Sequence, residues 1–566
     1  MKNGHFKQLC LLIEVHSMDK HLLTLWNAVP SGNMKLDKLA EVLDLSLKQT
    51  TRYIQKWSAE GWLIFTSGRG RGNVSKLEWL KDVEAIFEEQ VMQTIEEETV
   101  EVSSKYLLFD WSMDSKLRLM NKFSTKFGYV QNSNDKLVVP RKHLFLTMHP
   151  LYAADVSSAN IVSTIYNRLV AVDENGVVSP ELAHSWDMTD KKLRLYLKKD
   201  IRFHDGSILT AEDVVNCLDR LRIEQQFQTL WEPIEYIEVV APLVIDIIFP
   251  NGCSYCLQML GTMNTSIYKE KNDTLIGTGC FYIEENNETK TTLGAFKDYF
   301  GERPLLDNIE FVQVPEEFVI AYSSSSDANE KSFFPVESDS GFGVVIMNIA
   351  QQTAIHRKEV RDYIHYVVSK YRHQIHDDGE RIVPNSQGCL IGKSKSYDVK
   401  EVACPDLSKP LVLKDVNYTK NTTIWLKDIL EKEGIPIQTK WVSFADNISN
   451  KDWNRSVDLF IHGEIFEMNQ NFSFFHFLMN GYSPLADILR NNNKYRKLLA
   501  RYAQTPFEKW TNLNLQVEQA LIEDSIIIPL YYAKRQIPFS ADLMNIKIKH
   551  FGYVDFSKLW VRPEIK

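Results

Sequence analysis

Near the N-terminus, apolar positions recur every three or four residues in short runs, which is the spacing of one face of a helix. Two such runs lie close together: Leu22, Leu23, Leu25 and Trp26, then Leu36, Leu39, Ala40 and Leu43. Pro30 and Gly32 stand between the runs and end the first helix. The pattern therefore predicts two short helices joined by a turn.

A third helix is predicted to begin at Ser46. Its hydroxyl is placed to accept a hydrogen bond from the Gln49 backbone N–H while the Gln49 side chain reaches back, which is a capping box. Ile54 and Trp57 face inward, and Gly61 ends the helix. The opposite face is entirely polar or basic: Lys48, Gln49, Thr51, Arg52, Gln55 and Lys56.

Three short helices with such a third face predict a helix-turn-helix, whose third helix enters the major groove of DNA. Arg and Gln match guanine and adenine edges, and Lys suits phosphate. Two apolar runs, 62–66 and 74–80, flank "SGRGRGN" and predict a hairpin from which Arg69 and Arg71 project. The hairpin makes this a winged helix-turn-helix; the alternative is a solvated basic helix on a module that only packs.

The helix that follows the wing has an apolar stripe, made of Val83, Ile86, Phe87, Gln90, Val91, Thr94 and Ile95. The stripe favours packing against its own domain, and the alternative is a dimer helix. The polar stretch "QNSNDK", 131–136, is predicted to link a DNA-binding domain, 1–130, to a body, 137–566.

Strands alternate with helices throughout the body, which predicts a large mixed α/β domain. His204 and Asp205 sit at a predicted β-turn, so we interpret them as turn residues and not as a metal or catalytic site. The sequence shows no nucleophile elbow, zinc-protease motif, P-loop or dinucleotide fingerprint. It therefore predicts no enzyme, no metal site and no cofactor.

Charge is distributed unevenly along the 566 residues, whose formal net charge is -9. The first 80 residues carry +4 and the rest carry -13. A basic head on an acidic body indicates an anionic partner for the head, and double-stranded DNA is the expected one. A head of this charge binds weakly alone, so a homodimer on DNA is predicted.

No apolar run reaches membrane-spanning length, and no secretory signal is evident, so the expected location is the cytoplasm, with no membrane partner. Seven cysteines, an odd number, fit free thiols in a reducing compartment. Cys253 and Cys256 form a lone C-x-x-C, which we interpret as two ordinary thiols, with a redox motif or half a metal site as the alternative.

The segment "KLAEVLDLSLKQTTRYIQKWSAEGWLIFTSGRGRGNVSKLEWL" resembles the N-terminal domain of SgrR-type bacterial transcriptional regulators. The resemblance includes the Gly61-Trp62-Leu63 step out of the third helix and the glycine-arginine wing. It implies DNA-facing roles for a set of side chains: Lys48, Gln49, Thr51, Arg52, Arg69 and Arg71.

The body resembles the family 5 extracellular solute-binding proteins, the oligopeptide and nickel binders of ABC transporters. The resemblance rests on "YNRLVAVDENGVVSPELAHSW", "LRLYLKKDIRFHDGSILTAEDVVNCLDRL", "IGTGCFYI" and "KDYFGERPLLDNIEF", which occur in the family's order. It implies a two-lobed, periplasmic-binding-protein-like domain of class II, with crossing strands, hinge closure on a ligand and a subdomain at about 182–262. Cys280 departs from the family, which usually has Pro there.

By the same resemblance, a second-lobe acid meets the amino group of a peptide ligand, and Glu467 aligns near that place, with Asn469 beside it. An exposed loop carboxylate is the alternative for Glu467. Trp441, Phe444 and Tyr418 are candidate cleft aromatics, or else core residues.

Head and body together predict a DNA-binding regulator that senses a small solute, of peptide, sugar, sugar phosphate or metal chelate class, and alters promoter binding. One alternative is a cytoplasmic or transport-associated solute-binding protein whose head docks another partner. A second is a body that has lost ligand binding and serves as a platform for a constitutive head.

Overall fold

The structure is a computed structural model of the chain. It describes residues 18–68, 75–107, 109–124, 126–131, 135–141, 143, 145–272, 274–314, 333–375, 381–397, 399–443, 446–447, 456–466, 469–480, 484–540, 543–546, 548–549 and 553–561. We refer to residues 18–127 as the head, to 128–314 with 543–561 as lobe 1, and to 333–540 as lobe 2.

The head begins with a winged helix fold. Its elements are α1 (Lys20–Ala28), β1 (Gly32–Met34), α2 (Leu36–Leu43), α3 (Leu47–Ala59), β2 (Leu63–Thr66) and β3 (Ser75–Trp79). The predicted helices and the strands of the wing are confirmed. The sequence predicts a turn between α1 and α2, and the structure places strand β1 there. Its backbone groups pair with those of β3, with Gly32 opposite Leu77, in the sheet order β1-β3-β2.

Three further helices complete the head: α4 (Val83–Glu97), α5 (Val100–Leu107) and α6 (Met113–Ser124). The apolar stripe of α4 is buried in the head, with Val83, Phe87, Val91 and Ile95 almost fully covered. These side chains share one core with Trp57 of α3. The interpretation that α4 packs against its own domain is therefore confirmed.

The chain passes from head to lobe 1 through the hairpin of β4 (Gly128–Gln131) and β5 (Asp135–Arg141). The predicted linker, 131–136, falls on this hairpin, so its described residues are paired as strand and do not form an open connection. The hairpin lies at the edge of a sheet in the order β14-β15-β16-β5-β4. The domain limits themselves stay a prediction.

One face of this sheet completes the core of the head. Val138 on β5 and Val312 on β16, together with Val314, are buried in the same cluster as Trp111 and Leu119 of the head. The opposite face contributes residues such as Ile309 and Phe311 to the core of the body. The head and lobe 1 therefore share a continuous apolar interior across one sheet.

Lobe 1 contains the elements α7 (Val156–Ile165), β6 (Val170–Val172), β7 (Val178–Pro180), β8 (Ala183–Met188), β9 (Lys192–Leu197), α8 (Ala211–Ile223), α9 (Gln228–Trp231), β10 (Tyr236–Ala241), β11 (Val244–Ile248), α10 (Cys256–Met259), β12 (Lys269–Lys271), β13 (Thr274–Ile276), β14 (Phe281–Asn286), β15 (Lys290–Ala295) and β16 (Asn308–Gln313). Strands β8 to β11 form a separate antiparallel sheet in the order β10-β11-β9-β8, covered by α8. This sheet lies within the predicted subdomain region, 182–262.

His204 and Asp205 occupy a tight turn. Asp205 accepts hydrogen bonds from the Ser207 backbone N–H at 3.0 Å and the Ser207 hydroxyl at 2.6 Å, and Gly206 has a φ of 82°. His204 lies 3.0 Å from the Gly279 carbonyl oxygen, and burial lowers the pKa of its imidazole to about 4. The interpretation of this pair as turn residues is confirmed.

Lobe 2 is built on a mixed sheet in the order β18-β22-β17-β21-β19-β20. Its elements are β17 (Phe333–Met347), α11 (Lys358–Tyr371), β18 (Arg381–Pro384), β19 (Leu411–Asp415), α12 (Lys420–Lys432), β20 (Ile437–Trp441), β21 (Leu459–Ile465), α13 (Gln470–Met479), α14 (Pro484–Arg490), α15 (Asn493–Leu499), α16 (Trp510–Glu523) and β22 (Ile527–Ser540). The long strands β17 and β22 run antiparallel side by side and lead toward lobe 1.

Short strands close the chain on lobe 1: β23 (Leu543–Met544), β24 (Ile548–Lys549), β25 (Tyr553–Val554) and β26 (Trp560–Val561). The Phe556 ring packs on that of Phe311, 5.7 Å between centroids. The two lobes expected from the family resemblance are thus present, with crossing strands between them.

We expect Val312→Ala to weaken both the head and lobe 1, because Val312 belongs to their shared core. Loss of two buried carbons should lower the free energy of unfolding by about 2 kcal/mol. Hydrogen exchange read by mass spectrometry should then speed up in peptides from α4 as well as from β16. Gln313→Ala, at an exposed position at the end of the same strand, is the control; acceleration confined to β16 would contradict the shared core.

Candidate DNA-binding surface and solute cleft

Helix α3 presents one buried and one exposed face. Ser46 caps its N-terminus, and the predicted capping box with Gln49 is present. Thr50, Ile54 and Trp57 are buried in the head core. This burial turns the polar face of α3 outward and fixes its rotation about the helix axis.

Asp19 fastens α3 to α1. Its carboxylate caps α1 by accepting from the His21 backbone N–H at 3.1 Å. The same side chain accepts from the Trp57 indole N–H and from the Lys56 ammonium, each at 3.1 Å. The bond to Asp19 raises the pKa of Lys56. One carboxylate therefore joins the start of α1 to the last turn of α3.

The predicted DNA-facing residues on α3 fall into two groups. Lys48 and Arg52 extend from the exposed face without an ion-pair partner among the described residues. Thr51 is half-buried and donates to the Leu47 carbonyl oxygen. Gln49 is exposed, and its side-chain oxygen accepts a hydrogen bond from the Ser46 hydroxyl as part of the capping box. Lys56 is exposed but tied to Asp19.

The prediction of Arg69 and Arg71 as wing contacts lies outside the described residues. For all of these side chains, contact with DNA stays a prediction.

The second candidate site is an edge of the lobe 2 sheet. Strands β19, β20 and β21 run parallel, so their carboxyl ends meet at one edge. Ligands of open α/β sheets bind outside the carboxyl ends of the strands. Tyr418 follows β19, Trp441 ends β20, and Glu464 lies near the end of β21. The topology brings these three residues to the same edge.

Two of them were predicted as cleft aromatics and expose large surfaces. Tyr418 is 48% exposed and Trp441 is 60% exposed, with the Trp441 indole nitrogen 3.4 Å from the Asn417 side-chain oxygen. Neither is a core residue. Their place at the strand ends fits a wall for a solute, and their contact with one stays a prediction.

Glu464 is an acidic residue that the sequence analysis missed. His462 Nε2 lies 3.1 Å from its Oε2 atom, and His476 Nδ1 lies 3.9 Å from its Oε1 atom. Burial by itself would raise the pKa of the Glu464 carboxyl, but the two imidazoles outweigh burial and hold the pKa below its usual range. Glu464 is thus held as an anion at the sheet edge to which Tyr418 and Trp441 also belong. Its signal in the sequence was the pair of polar residues at alternate positions in "DLFIHGEIF".

Asn469, predicted beside the cleft acid, lies at the N-terminus of α13. It is buried, caps α13 by accepting from the Asn471 backbone N–H at 2.8 Å, and donates to the Glu174 carbonyl oxygen at 2.7 Å. Both ends of its amide are therefore hydrogen-bonded within the protein, and its contact with a solute stays a prediction. The predictions of Glu467 as cleft acid and Phe444 as cleft aromatic lie outside the described residues.

Two family models match the chain. The model of the "Sugar transport-related sRNA regulator N-term" matches residues 20–125. The model of "Bacterial extracellular solute-binding proteins, family 5 Middle" matches residues 177–323. Together they cover the head and most of the described part of lobe 1.

Full-length relatives share both parts. The HTH-type transcriptional regulator SgrR of Photorhabdus laumondii is 23% identical over 551 residues, covering 93% of this chain and 95% of that protein. The protein of the same name from Pectobacterium atrosepticum is 23% identical over 555 residues, with the same coverage. An uncharacterised protein of Bacillus subtilis, YhjP, is 22% identical and covers 94% of this chain and 96% of its own length.

Solved structures of solute-binding proteins cover about three quarters of this chain. The periplasmic binding protein DppA of Helicobacter pylori, in complex with the peptide STSA, superposes with a TM-score of 0.64 at 17% identity, covering 75% of this chain and 98% of that one. The oligopeptide-binding protein AppA of Bacillus subtilis, in complex with a nonapeptide, gives 0.62 at 18% identity, covering 76% and 99%. These neighbours establish the two-lobed fold of the body.

The similar proteins whose names state a role are regulators and solute-binding proteins. Among the described residues, no helix combines the length and apolar character that crossing a bilayer requires.

We expect Asp19→Ala to destabilise the head by about 1 to 3 kcal/mol, because it removes a helix cap and leaves the buried Trp57 N–H without its acceptor. Hydrogen exchange of the full chain, read by mass spectrometry in peptides from the head, measures this loss of stability. Asp37→Ala is a control on the exposed face of α2. An unchanged exchange rate in α3 would show that the carboxylate does not hold that helix.

Proposed function

We propose that this chain, which has the domain organisation of SgrR-type regulators, is a transcriptional regulator that binds DNA through its head and senses a small solute through its two-lobed body. The observation that carries the proposal is the exposed basic face of α3 on a head whose core continues into a solute-binding fold. The relatives that match along nearly the whole length include transcriptional regulators, which supports the proposal.

The case for DNA binding rests on how α3 is held. A recognition helix must keep its rotation and register to read base edges, and buried Thr50, Ile54 and Trp57 supply that constraint. Lys48 and Arg52 then point outward as a phosphate contact and a base contact. A regulator of this kind acts where the chromosome is, so we place it in the cytoplasm.

We further propose that the protein binds DNA as a homodimer. One head offers few cations, and counterion release from so few contacts gives only salt-sensitive, weak binding. Paired half-sites double the contact surface and are the usual arrangement for helix-turn-helix proteins.

For the solute, the carboxyl edge of β19, β20 and β21 is the candidate site in lobe 2. Tyr418 and Trp441 offer exposed aromatic faces, and Glu464 offers a negative charge held by two imidazoles. These groups suit a ligand that has hydrogen-bond donors and a flat or apolar surface. The structurally similar DppA and AppA carry peptides, and NikA of Brucella suis, with a TM-score of 0.61 at 15% identity, carries Fe(III)-EDTA. Peptides and metal chelates are therefore the first solutes to test, beside the predicted sugars and sugar phosphates.

We expect Arg52→Ala to cost about 1 to 3 kcal/mol of specific DNA binding if Arg52 reads a base. The measurement is a titration of the full chain against DNA from upstream of its own gene, with and without excess nonspecific competitor, at two salt concentrations. Arg118→Ala is the matched control, because it removes the same charge from α6, where Arg118 pairs with Glu88.

Equal affinity and specificity of Arg52→Ala and Arg118→Ala would remove Arg52 from the interface. If the wild-type chain bound no DNA at all but was stabilised by a solute, the protein would instead be a solute-binding protein whose head serves another partner.

We expect Glu464→Gln to weaken solute binding. A thermal-shift screen of peptides, sugars and metal chelates identifies a ligand, because a ligand at 100 times its dissociation constant adds about 2.7 kcal/mol of stability. Loss of a charged hydrogen bond should then cost about 1.5 to 3 kcal/mol of affinity. Glu433→Gln, a lobe 2 carboxylate bound to Lys370, is the control. Equal solute affinities of the two variants would show that Glu464 does not contact the solute.

A further inference from the structure

The two lobes meet along an apolar contact that we call the seam: residues 251–255 of lobe 1, and Phe475 with residues 502–510 of lobe 2. Four aromatic side chains form its centre, and all are almost fully buried: Tyr255 from lobe 1, and Phe475, Tyr502 and Trp510 from lobe 2. The same continuous core includes residues of both lobes. The lobes therefore contact each other directly through buried apolar side chains.

The aromatic rings interlock across the boundary. The Tyr255 ring lies 4.9 Å from that of Phe475 and 5.8 Å from that of Trp510, between centroids. Within lobe 2, the Phe475 ring lies 4.4 Å from Tyr502 and 4.8 Å from Trp510. These are the separations of packed aromatic pairs. The Tyr255 ring therefore occupies a pocket of lobe 2, which we call the socket, next to Phe475 and Trp510.

Backbone and side-chain hydrogen bonds fix the rim of this socket. The Ser254 backbone N–H donates to the Ala503 carbonyl oxygen at 2.9 Å. The Ser254 hydroxyl lies 2.8 Å from the Tyr502 carbonyl oxygen and 2.6 Å from that of Thr505. The Gln504 amide donates to the Asn251 carbonyl oxygen. Ser254 is thus bound to lobe 2 through its backbone and its side chain.

The contact continues to a second turn of lobe 1. Asn469 donates to the Glu174 carbonyl oxygen at 2.7 Å, and the Phe507 ring lies against Gly176. Gly176 has a φ of 82°, and a Cβ atom there would collide with that ring. Both the backbone conformation and the close approach therefore require glycine at this position.

We infer that the ligand-free protein rests closed, with the lobes held together by this seam, instead of standing open until a ligand draws them shut. Domains joined by small polar contacts move freely, whereas a large apolar contact holds them together. Opening would expose the Tyr255 ring and the surfaces of Phe475 and Trp510 that pack on it, and it would break the hydrogen bonds of Ser254 to lobe 2. The inference does not depend on whether the head binds DNA.

A closed resting state changes how the body responds to a solute. If a ligand enters only when the seam opens, its apparent affinity is reduced by the fraction of protein that is open. Residues of the seam then set the sensitivity of the protein without touching the ligand. The seam becomes a tuning element that is separate from the strand ends where Tyr418 and Trp441 lie.

Cysteines in the chain report on the seam directly. Cys253 and Cys256 flank Tyr255 and are buried, while Cys404 is exposed and Cys280 is buried inside lobe 1. All four are free thiols. Because Cys253 and Cys256 lie next to the seam residues Ser254 and Tyr255, we expect opening of the seam to expose them, whereas we expect Cys280 to react only if lobe 1 itself unfolds.

The test is alkylation of the exhaustively dialysed full chain with iodoacetamide, read site by site by mass spectrometry, with each rate compared with the same thiol in denatured protein. In the wild type, we expect protection of Cys253 and Cys256 on the order of 100-fold or more, as for groups exposed only by rare opening. Cys404 should react at once. The radius of gyration from X-ray scattering should match the closed structure.

Two variants on one helix separate the seam from general stability. Phe475→Ala empties the socket, whereas Phe477→Ala removes an equally buried ring that packs on Phe342 and His462 within lobe 2. We expect Phe475→Ala, but not Phe477→Ala, to raise alkylation of Cys253 and Cys256 by about tenfold or more, with Cys280 still protected. Ser254→Ala is a milder seam variant that should act in the same direction.

Two results would overturn the inference. One is rapid alkylation of Cys253 and Cys256 in the dialysed wild type while Cys280 stays protected, which would mean that the free protein is open. The other is an equal response to Phe475→Ala and Phe477→Ala, which would mean that helix α13 acts only through the stability of lobe 2.

Discussion

Burial of apolar side chains on both faces of one sheet is the constraint on which this architecture depends. Val138 and Val312 face the head, while Ile309 and Phe311 on the same sheet face the body. Neither the head nor lobe 1 has a complete core without this sheet. Helix α3 is therefore held by a scaffold that reaches directly into the solute-binding fold, and its orientation depends on both parts.

This shared core restricts the movements by which a change in the body can alter the head. A change in the body cannot swing the head freely about a tether, because the connection is a paired hairpin in a shared sheet. Strands β17 and β22 lead from lobe 2 toward lobe 1, so a movement between the lobes about these strands requires the seam to open. A solute acts on DNA affinity only by its different affinity for the two arrangements of the lobes.

Local patterns in the sequence predicted the elements whose cause is local. The capping box at Ser46, the inward stripe of Ile54 and Trp57, and the turn at Asp205 all depend on neighbours a few residues away. Strand β1, the hairpin at the predicted linker and the role of Asn469 could not be predicted in this way. Each forms through a partner distant in the sequence, such as Glu174 for Asn469. The cluster around Glu464 likewise joins a strand to a separate helix.

The pairing of β5 with β16 also orders events in time. The backbone N–H of Asp135 bonds to the side chain of Asp307, 172 residues later in the chain. At roughly 5 to 20 residues per second, a ribosome needs about 10 to 30 s to synthesise the stretch between them. During that interval, the head has emerged with the apolar surface around Trp111 still uncovered. The nascent chain therefore has the greatest need of a chaperone after the head has been synthesised and before β16 has been.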